Sequence, residues 1–315
     1  MRYYDNILET IGHTPLVRLN SVARDVAPLV LAKVEFFNPG GSVKDRIGIS
    51  MIEAAERAGR IAPGATIVEP TSGNTGMGLA LAAAVKGYKC VFVMTDKVSE
   101  EKRSLLRALG AEVVICPNSA SYESPDNYHN VAARLARELP NAFSPDQYAN
   151  PANPAAHERG TGPEIWEDTE GKVTAFVAGV GTAGTIIGTA RYLKQQNPNV
   201  KVIGADPAGS IFSGDTPAPY KVEGIGTEHF PDNWDPNVVD EVIRVDDRAS
   251  FRMAQRLTRE EGIFVGGSAG TAAAAALEYA KRLGPEDVVV VLLPDGGRGY
   301  LSKLYDERWM RENGF

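Results

Sequence analysis

A lysine and four glycine-rich turns hold the residues whose types and spacing could do chemistry in this 315-residue chain. The lysine is Lys44, in the run NPGGSVKDRIGISMIEAAERAG (residues 38–59). Apolar positions Ile47, Met51, Ala54, Ala55 and Ala58 recur there at helical spacing, and a Pro-Gly-Gly-Ser turn delivers Lys44 to the first turn of the helix they define. A cation at a helix N-terminus meets the positive end of the helix dipole. That position disfavours the ammonium form and suits an amine that works as a nucleophile and base.

The turns are donor-rich. EPTSGNTG (residues 69–76) joins a strand to a helix; its backbone amides and the hydroxyls of Thr71, Ser72 and Thr75 suit a carboxylate or phosphate, and it lacks the lysine of a Walker loop. GVGTAGT (179–185) also joins strand to helix. Its Gly179, Gly181 and Gly184 fit the G-x-G-x-x-G spacing of a dinucleotide turn, while Thr182 and Thr185 add hydroxyls suited to a terminal phosphate monoester. GGSAG (266–270) opens an alanine-rich helix, and by pattern Ser268 is its N-cap. LLPDGGRGYLSK (292–303) ends a strand, where Asp295 and Arg298 read equally as ligand contacts or as a turn ion pair. A nucleophilic amine together with several phosphate cradles points to pyridoxal phosphate, which needs an imine-forming lysine and a grip on its phosphate.

The elements that must position these residues alternate. Residues 65–70, 89–95 and 111–117 read as strands, with helices at 77–87 and at 99–110, the latter capped by Ser99. A second series has strands at 173–180, 201–207 and 287–293 and helices at 185–196, 250–262 and 268–284. Such βαβ order predicts an α/β protein with parallel sheets. SPDQYANPANPAAHERG (144–160) reads as the connection between two α/β halves, and residues 207–236 as a long irregular segment of the kind that carries function.

Composition narrows the classes. Apolar residues make up 43% and charged residues 23%, as in ordinary globular proteins, and a net charge of −7 argues against nucleic-acid partners. The four histidines are scattered and no metal set is visible. Cys90 and Cys116 lie in apolar runs without CxxC spacing and read as buried structural thiols. The N-terminus lacks an apolar signal core and no run has the length of a membrane span, so a cytoplasmic protein with no membrane partner is expected.

The order NPGGSVKDRIG, EPTSGNTG, GVGTAGT, GGSAG resembles the fold type II (β-family) pyridoxal-phosphate enzymes, and the likeness runs from YDNILETIGHTPLVRLN to ERWMRENGF. It implies a tryptophan synthase β-like fold of two α/β domains with the active site in the cleft between them. The large cofactor-binding domain would comprise residues 1–41 and 149–315, and residues 42–148 a smaller, mobile substrate domain. Lys44 would carry the cofactor, Asn74 would bond its 3′-oxygen, Gly181, Thr182, Ala183, Gly184 and Thr185 would hold its phosphate, and Ser268 would meet its pyridine nitrogen. Thr71, Ser72, Asn74, Thr75 and Gln147 would bind the substrate carboxylate, with Gly224, Ile225 and Gly226 bordering the site. Within the family, Gly78, Glu223 and the GGSAG turn resemble cystathionine β-synthases, which join L-serine and L-homocysteine. NPANPAAHERGTGPEIWEDT resembles cysteine synthases, which join O-acetylserine and sulfide. Thr227 and Ala183 depart from the usual pattern. A homodimer is implied. Apart from the resemblance, Glu223 reads either as a partner for the homocysteine ammonium or as a surface-exposed acid. A haem-binding extension and a C-terminal adenosylmethionine module are not expected.

Overall fold

A computed structural model describes all residues except 2, 72 and 122. The chain divides into two compact units, residues 1–11 with 38–152 and residues 12–37 with 153–315. Its strands are β1 (Leu16–Arg18), β2 (Leu29–Val34), β3 (Thr66–Pro70), β4 (Lys89–Thr95), β5 (Glu112–Cys116), β6 (Ala142–Phe143), β7 (Ala175–Gly179), β8 (Lys201–Pro207), β9 (Glu241–Val245) and β10 (Val288–Leu293). Its helices are α1 (Lys44–Arg57), α2 (Asn74–Lys86), α3 (Glu100–Ala108), α4 (Tyr128–Glu138), α5 (Ala152–Ala156), α6 (Gly162–Asp168), α7 (Gly184–Gln196), α8 (Asp247–Glu261), α9 (Gly267–Ala280) and α10 (Glu307–Glu312).

The first unit holds a four-stranded parallel sheet in the order β5-β4-β3-β6. The chain steps outward from β3 through β4 to β5, then returns to the other side of β3 with the two-residue β6. The strand order therefore reverses at β3 and β6, the place where open α/β sheets leave a crevice for ligands at strand C-termini. Buried Val68, Val91 and Val93 pack under Val131 and Ala132 of α4. Helices α1 and α2 meet with almost bare backbones: a Cβ on Gly48 would stand 2.4 Å from the carbonyl carbon of Gly78.

The second unit holds a six-stranded sheet, β1-β2-β10-β7-β8-β9, parallel except for the antiparallel edge strand β1. Here the order reverses between β7 and β10, whose C-terminal turns are residues 180–183 and 294–300. Helix α9 is buried along most of its length because alanines 269, 272, 273, 275, 276 and 280 let it lie close to neighbouring elements of the core. Such a run of small side chains buries backbone as well as methyl surface, at roughly 25 cal/mol per Å² of apolar area.

Two expectations need correcting. The Pro- and Asn-rich stretch at 144–160 is more than a connection, since it enters helix at Ala152 and continues through a π-turn at His157–Thr161 into α6. Of its prolines, Pro154 falls in the first turn of α5, where a missing amide leaves no intrahelical bond unmade. Ser268 is not an N-cap. Gly266 takes that position, and Ser268 lies inside the first turn of α9. The 208–235 segment is free of α-helix and strand, as expected. Both cysteines are buried and unpaired, and burial pushes the Cys90 thiol up to about 12. No helix among the described residues is long and apolar enough to cross a membrane.

Candidate active site

In the first unit, Lys44 opens α1, half-buried, with its backbone amide held by the Ser42 hydroxyl at 3.1 Å. The preceding turn is braced by Asp45, whose carboxylate accepts the Gly40 amide at 2.5 Å. The 71–76 turn follows β3. The Thr71 hydroxyl accepts the amides of Gly73 and Gly76 at 3.1 and 3.2 Å, which folds the turn back on itself. Gly73 adopts φ 126°, a value open only to glycine, and the methylenes of buried Lys102 cover its face. The Met77 amide of α2 bonds the Gly73 carbonyl at 2.9 Å. The Thr75 hydroxyl donates to Oε1 of Gln147 at 2.7 Å, and both residues are buried. Thr71, Asn74, Thr75 and Gln147 thus come together at the crevice of their sheet. Ser72 lies outside the described residues.

In the second unit, Ala183 ends the 180–183 turn in the left-handed region at φ 64° and serves as the N-cap of α7. The first internal bond of α7 runs from the Ile187 amide to the Ala183 carbonyl, leaving the amides of Gly184, Thr185 and Ile186 ahead of it. Buttresses hold the two threonines. The Asn153 amide donates to the Thr182 hydroxyl at 3.0 Å, and His157 Nε2 lies 3.3 Å from the Thr185 hydroxyl while its Nδ1 engages Thr161 at 2.9 Å. Gly184 is obligatory because a Cβ there would stand 1.8 Å from the Asn153 side-chain oxygen. Segment 224–226 packs on the same turn: the Gly226 amide donates to the Val180 carbonyl at 2.7 Å, and a Cβ on Gly181 would meet the Gly224 carbonyl oxygen at 3.0 Å.

Ser268 is buried, and the turn before it is joined to the end of β10 by the bond from the Gly266 amide to the Asp295 carbonyl. Asp295 accepts the Tyr300 hydroxyl at 2.5 Å, whereas Arg298 is exposed. Glu223 is no open surface acid: its carboxylate is paired with Lys303, and both side chains are largely buried.

Capping and first-turn charge together mark these helix starts, since α1 and α6 lack a capping side chain but carry Asp45 and Glu164 in their first turns. Helices α3, α4, α8 and α10 open on a side-chain cap from Ser99, Asn127, Asp246 and Asp306. Helices α2, α7 and α9 have no capping side chain at their N-cap position and no acidic residue in their first turn. A left-handed residue ahead of uncapped amides, flanked by anchored hydroxyls, makes an anion nest, and the 181–185 turn fits a phosphate monoester on that ground. Residues missed by pattern alone are Asn153, His157, Lys102 and Glu69. Of these, Glu69 left a trace, being a charged residue inside an otherwise apolar strand.

Comparison with known proteins agrees with this chemistry. The sequence pattern of "Pyridoxal-phosphate dependent enzyme" matches residues 7–295. Cystathionine beta-synthase of Apis mellifera is 49% identical over 317 residues, covering 98% of this chain, and the chain spans 63% of the length of that relative. Two solved structures share the fold across nearly the whole chain. Cysteine synthase from Entamoeba histolytica has a TM-score of 0.91 at 37% identity, covering 96% of this chain and 91% of its own. The O-acetylserine dependent cystathionine beta-synthase from Helicobacter pylori has a TM-score of 0.89 at 39% identity, covering 96% and 99%. With that match running from residue 7 to Asp295, the chain belongs to the pyridoxal-phosphate dependent enzyme family.

Proposed function

We propose that the protein catalyses a β-replacement in which L-serine and L-homocysteine give L-cystathionine and water. The observation that carries the cofactor chemistry is the set of acid-free helix starts at strand C-termini, α2 in the unit that also holds the lysine-bearing helix start and α7 and α9 in the other. The likeness to cystathionine beta-synthase relatives at 49% identity supports the choice of substrates.

When bound, pyridoxal phosphate draws electrons from the α-carbon of an amino acid, so that the α-proton and then the β-substituent can leave. The residues divide the remaining work. Lys44 holds the cofactor through its amine. Its freed Nζ then takes the α-proton and delivers it to the departing hydroxyl, which leaves as water. The homocysteine sulfur bonds to the β-carbon, and the proton it releases returns to the α-carbon through Lys44. Gly181, Thr182, Ala183, Gly184 and Thr185 grip the phosphate, and Asn74 bonds the ring oxygen. Ser268 meets the ring nitrogen with a hydroxyl in place of an acid, which disfavours a protonated ring and so favours prompt loss of the β-substituent. Thr71, Ser72, Asn74, Thr75 and Gln147 orient the substrate carboxylate, and Gly224, with open space where a Cβ would stand, leaves room for the second substrate beside Gly226. Glu223 faces that substrate's ammonium and exchanges its bond to Lys303 for it. A cytoplasmic homodimer completes the reading, and elution at twice the chain mass tests the assembly.

Product analysis tests the reaction. The loaded protein is expected to form cystathionine from serine and homocysteine faster than cysteine from O-acetylserine and sulfide. The reverse ratio would make it a cysteine synthase, and pyruvate from serine alone would make it a deaminase.

A further inference from the structure

Glu69 sits one residue from the end of β3, in the run Thr66–Pro70, and is 1% exposed. Strand β6 pairs only with Thr66 and Ile67, so the ladder on that side of β3 stops two residues before Glu69. Beyond it, the Glu69 carboxyl stands in for the missing strand. Its Oε2 accepts the amide of Asp146 at 3.0 Å and its Oε1 the amide of Gln147 at 3.2 Å. These two bonds hold a turn that is otherwise hard to form, because Asp146 adopts φ 52° in the left-handed region. The Asp146 carboxylate tightens the turn further by accepting the amides of Tyr148 and Ala149, each at 3.3 Å. Gln147 emerges from this turn with its Oε1 against the Thr75 hydroxyl at 2.7 Å. A continuous set of bonds therefore runs from a buried acid in the strand, through two backbone amides, to the side chain that meets the 71–76 turn.

We propose that Glu69 is a positioning residue for the substrate-carboxylate site, which it serves by clamping the Asp146 and Gln147 amides and so aiming Gln147 at Thr75. The proposal rests on the reading above that Thr75 and Gln147 receive the carboxylate of the amino-acid substrate. The clamp does not depend on ionisation, since both oxygens of a carboxyl group can accept in either form. A carboxamide in its place has only one acceptor oxygen and turns a donor toward the second amide.

The test uses the cofactor-loaded protein and the variant E69Q, with cofactor content and circular dichroism as folding controls. Hydrogen exchange reads the clamp directly: amides of residues 145–149 are expected to exchange at least about tenfold faster in the variant, with α1 unchanged. Amino-acid binding, read as the concentration of serine or O-acetylserine that half-shifts the cofactor absorption, is expected to weaken at least about tenfold. The turnover number should stay within about threefold, as when an interaction shared by bound substrate and transition state is lost. Faster exchange with unchanged binding would overturn the positioning role, and unchanged exchange would overturn the clamp itself. Because binding is scored with whichever amino acid the wild type takes, a failure of the serine–homocysteine assignment shows in the wild type and not in the comparison. Should E69Q fail to fold, E69D keeps both acceptors but withdraws them by one methylene, and it is read in the same way with the same expected directions.

Discussion

Gly78 and the carbonyl oxygen of Lys44 are separated by no more than a hydrogen atom can fill: a Cβ on Gly78 would stand 2.4 Å from that oxygen. The residue that opens α1 is therefore seated by a glycine in the middle of α2, and backbone cannot step aside as a flexible side chain can. G78A is expected to push the first turn of α1 outward, lower stability by about 1–3 kcal/mol as overpacking does, and slow capture of the cofactor by Lys44. Denaturant midpoints and the rate at which the cofactor absorption band appears check both effects.

Ala183 occupies a conformation that suits glycine, at φ 64° directly before α7. The left-handed region costs an alanine roughly 1–2 kcal/mol, against roughly 0.4–1 kcal/mol for the added freedom of a glycine in the unfolded chain. A183G is therefore expected to raise stability by about 0.5–1 kcal/mol with phosphate binding retained. Thermal denaturation with and without inorganic phosphate measures it.

Burial pushes Glu69 up to about 8, outweighing the two amide bonds that favour its ionised form, with Asp146 adding repulsion. Between about 4.5, its ordinary value, and about 8 the folded protein holds a proton here that the unfolded chain has lost. Stability therefore falls through that window, by up to about 1.4 kcal/mol per pH unit from this group. E69Q lacks the slope. Unfolding free energies of both proteins at pH 5 and pH 7.5 give the two slopes, and the wild type's excess slope should vanish below pH 4.

Lys303 and Glu223 form a largely buried ion pair, so any role of Glu223 toward an ammonium competes with Lys303. K303M is expected to lower the Michaelis constant for homocysteine and E223Q to raise it, each by about threefold or more. Movement of both constants in one direction would remove Glu223 from substrate binding and leave the pair a structural tie.

The parts of this molecule legible in sequence are those where local pattern and tertiary demand agree. The largely apolar runs at 89–95 and 201–207 become β4 and β8 with the expected bounds, because strands buried in a parallel sheet read as near-continuous apolar runs. The glycine turns locate the candidate site for the same reason, since close backbone approach leaves glycine little substitute. Helix α2 begins at Asn74, three residues ahead of its apolar run, because the turn itself supplies the first helical residues. Ser268 carries the pattern of a cap, yet Gly266 takes that position once the 264–266 segment is tied to the end of β10. Glu69, Asn153 and His157 act through partners 28 to 78 residues away, a kind of contact that no local spacing encodes.

The central claim is that the Lys44 amine carries pyridoxal phosphate. Borohydride reduction of the cofactor-loaded protein, followed by digestion and mass spectrometry, tests it most directly. A pyridoxyl group fixed on the peptide that contains Lys44, and lost together with the yellow absorption in K44A, is the predicted result. A colourless protein, or a pyridoxyl group found on another lysine, would contradict it.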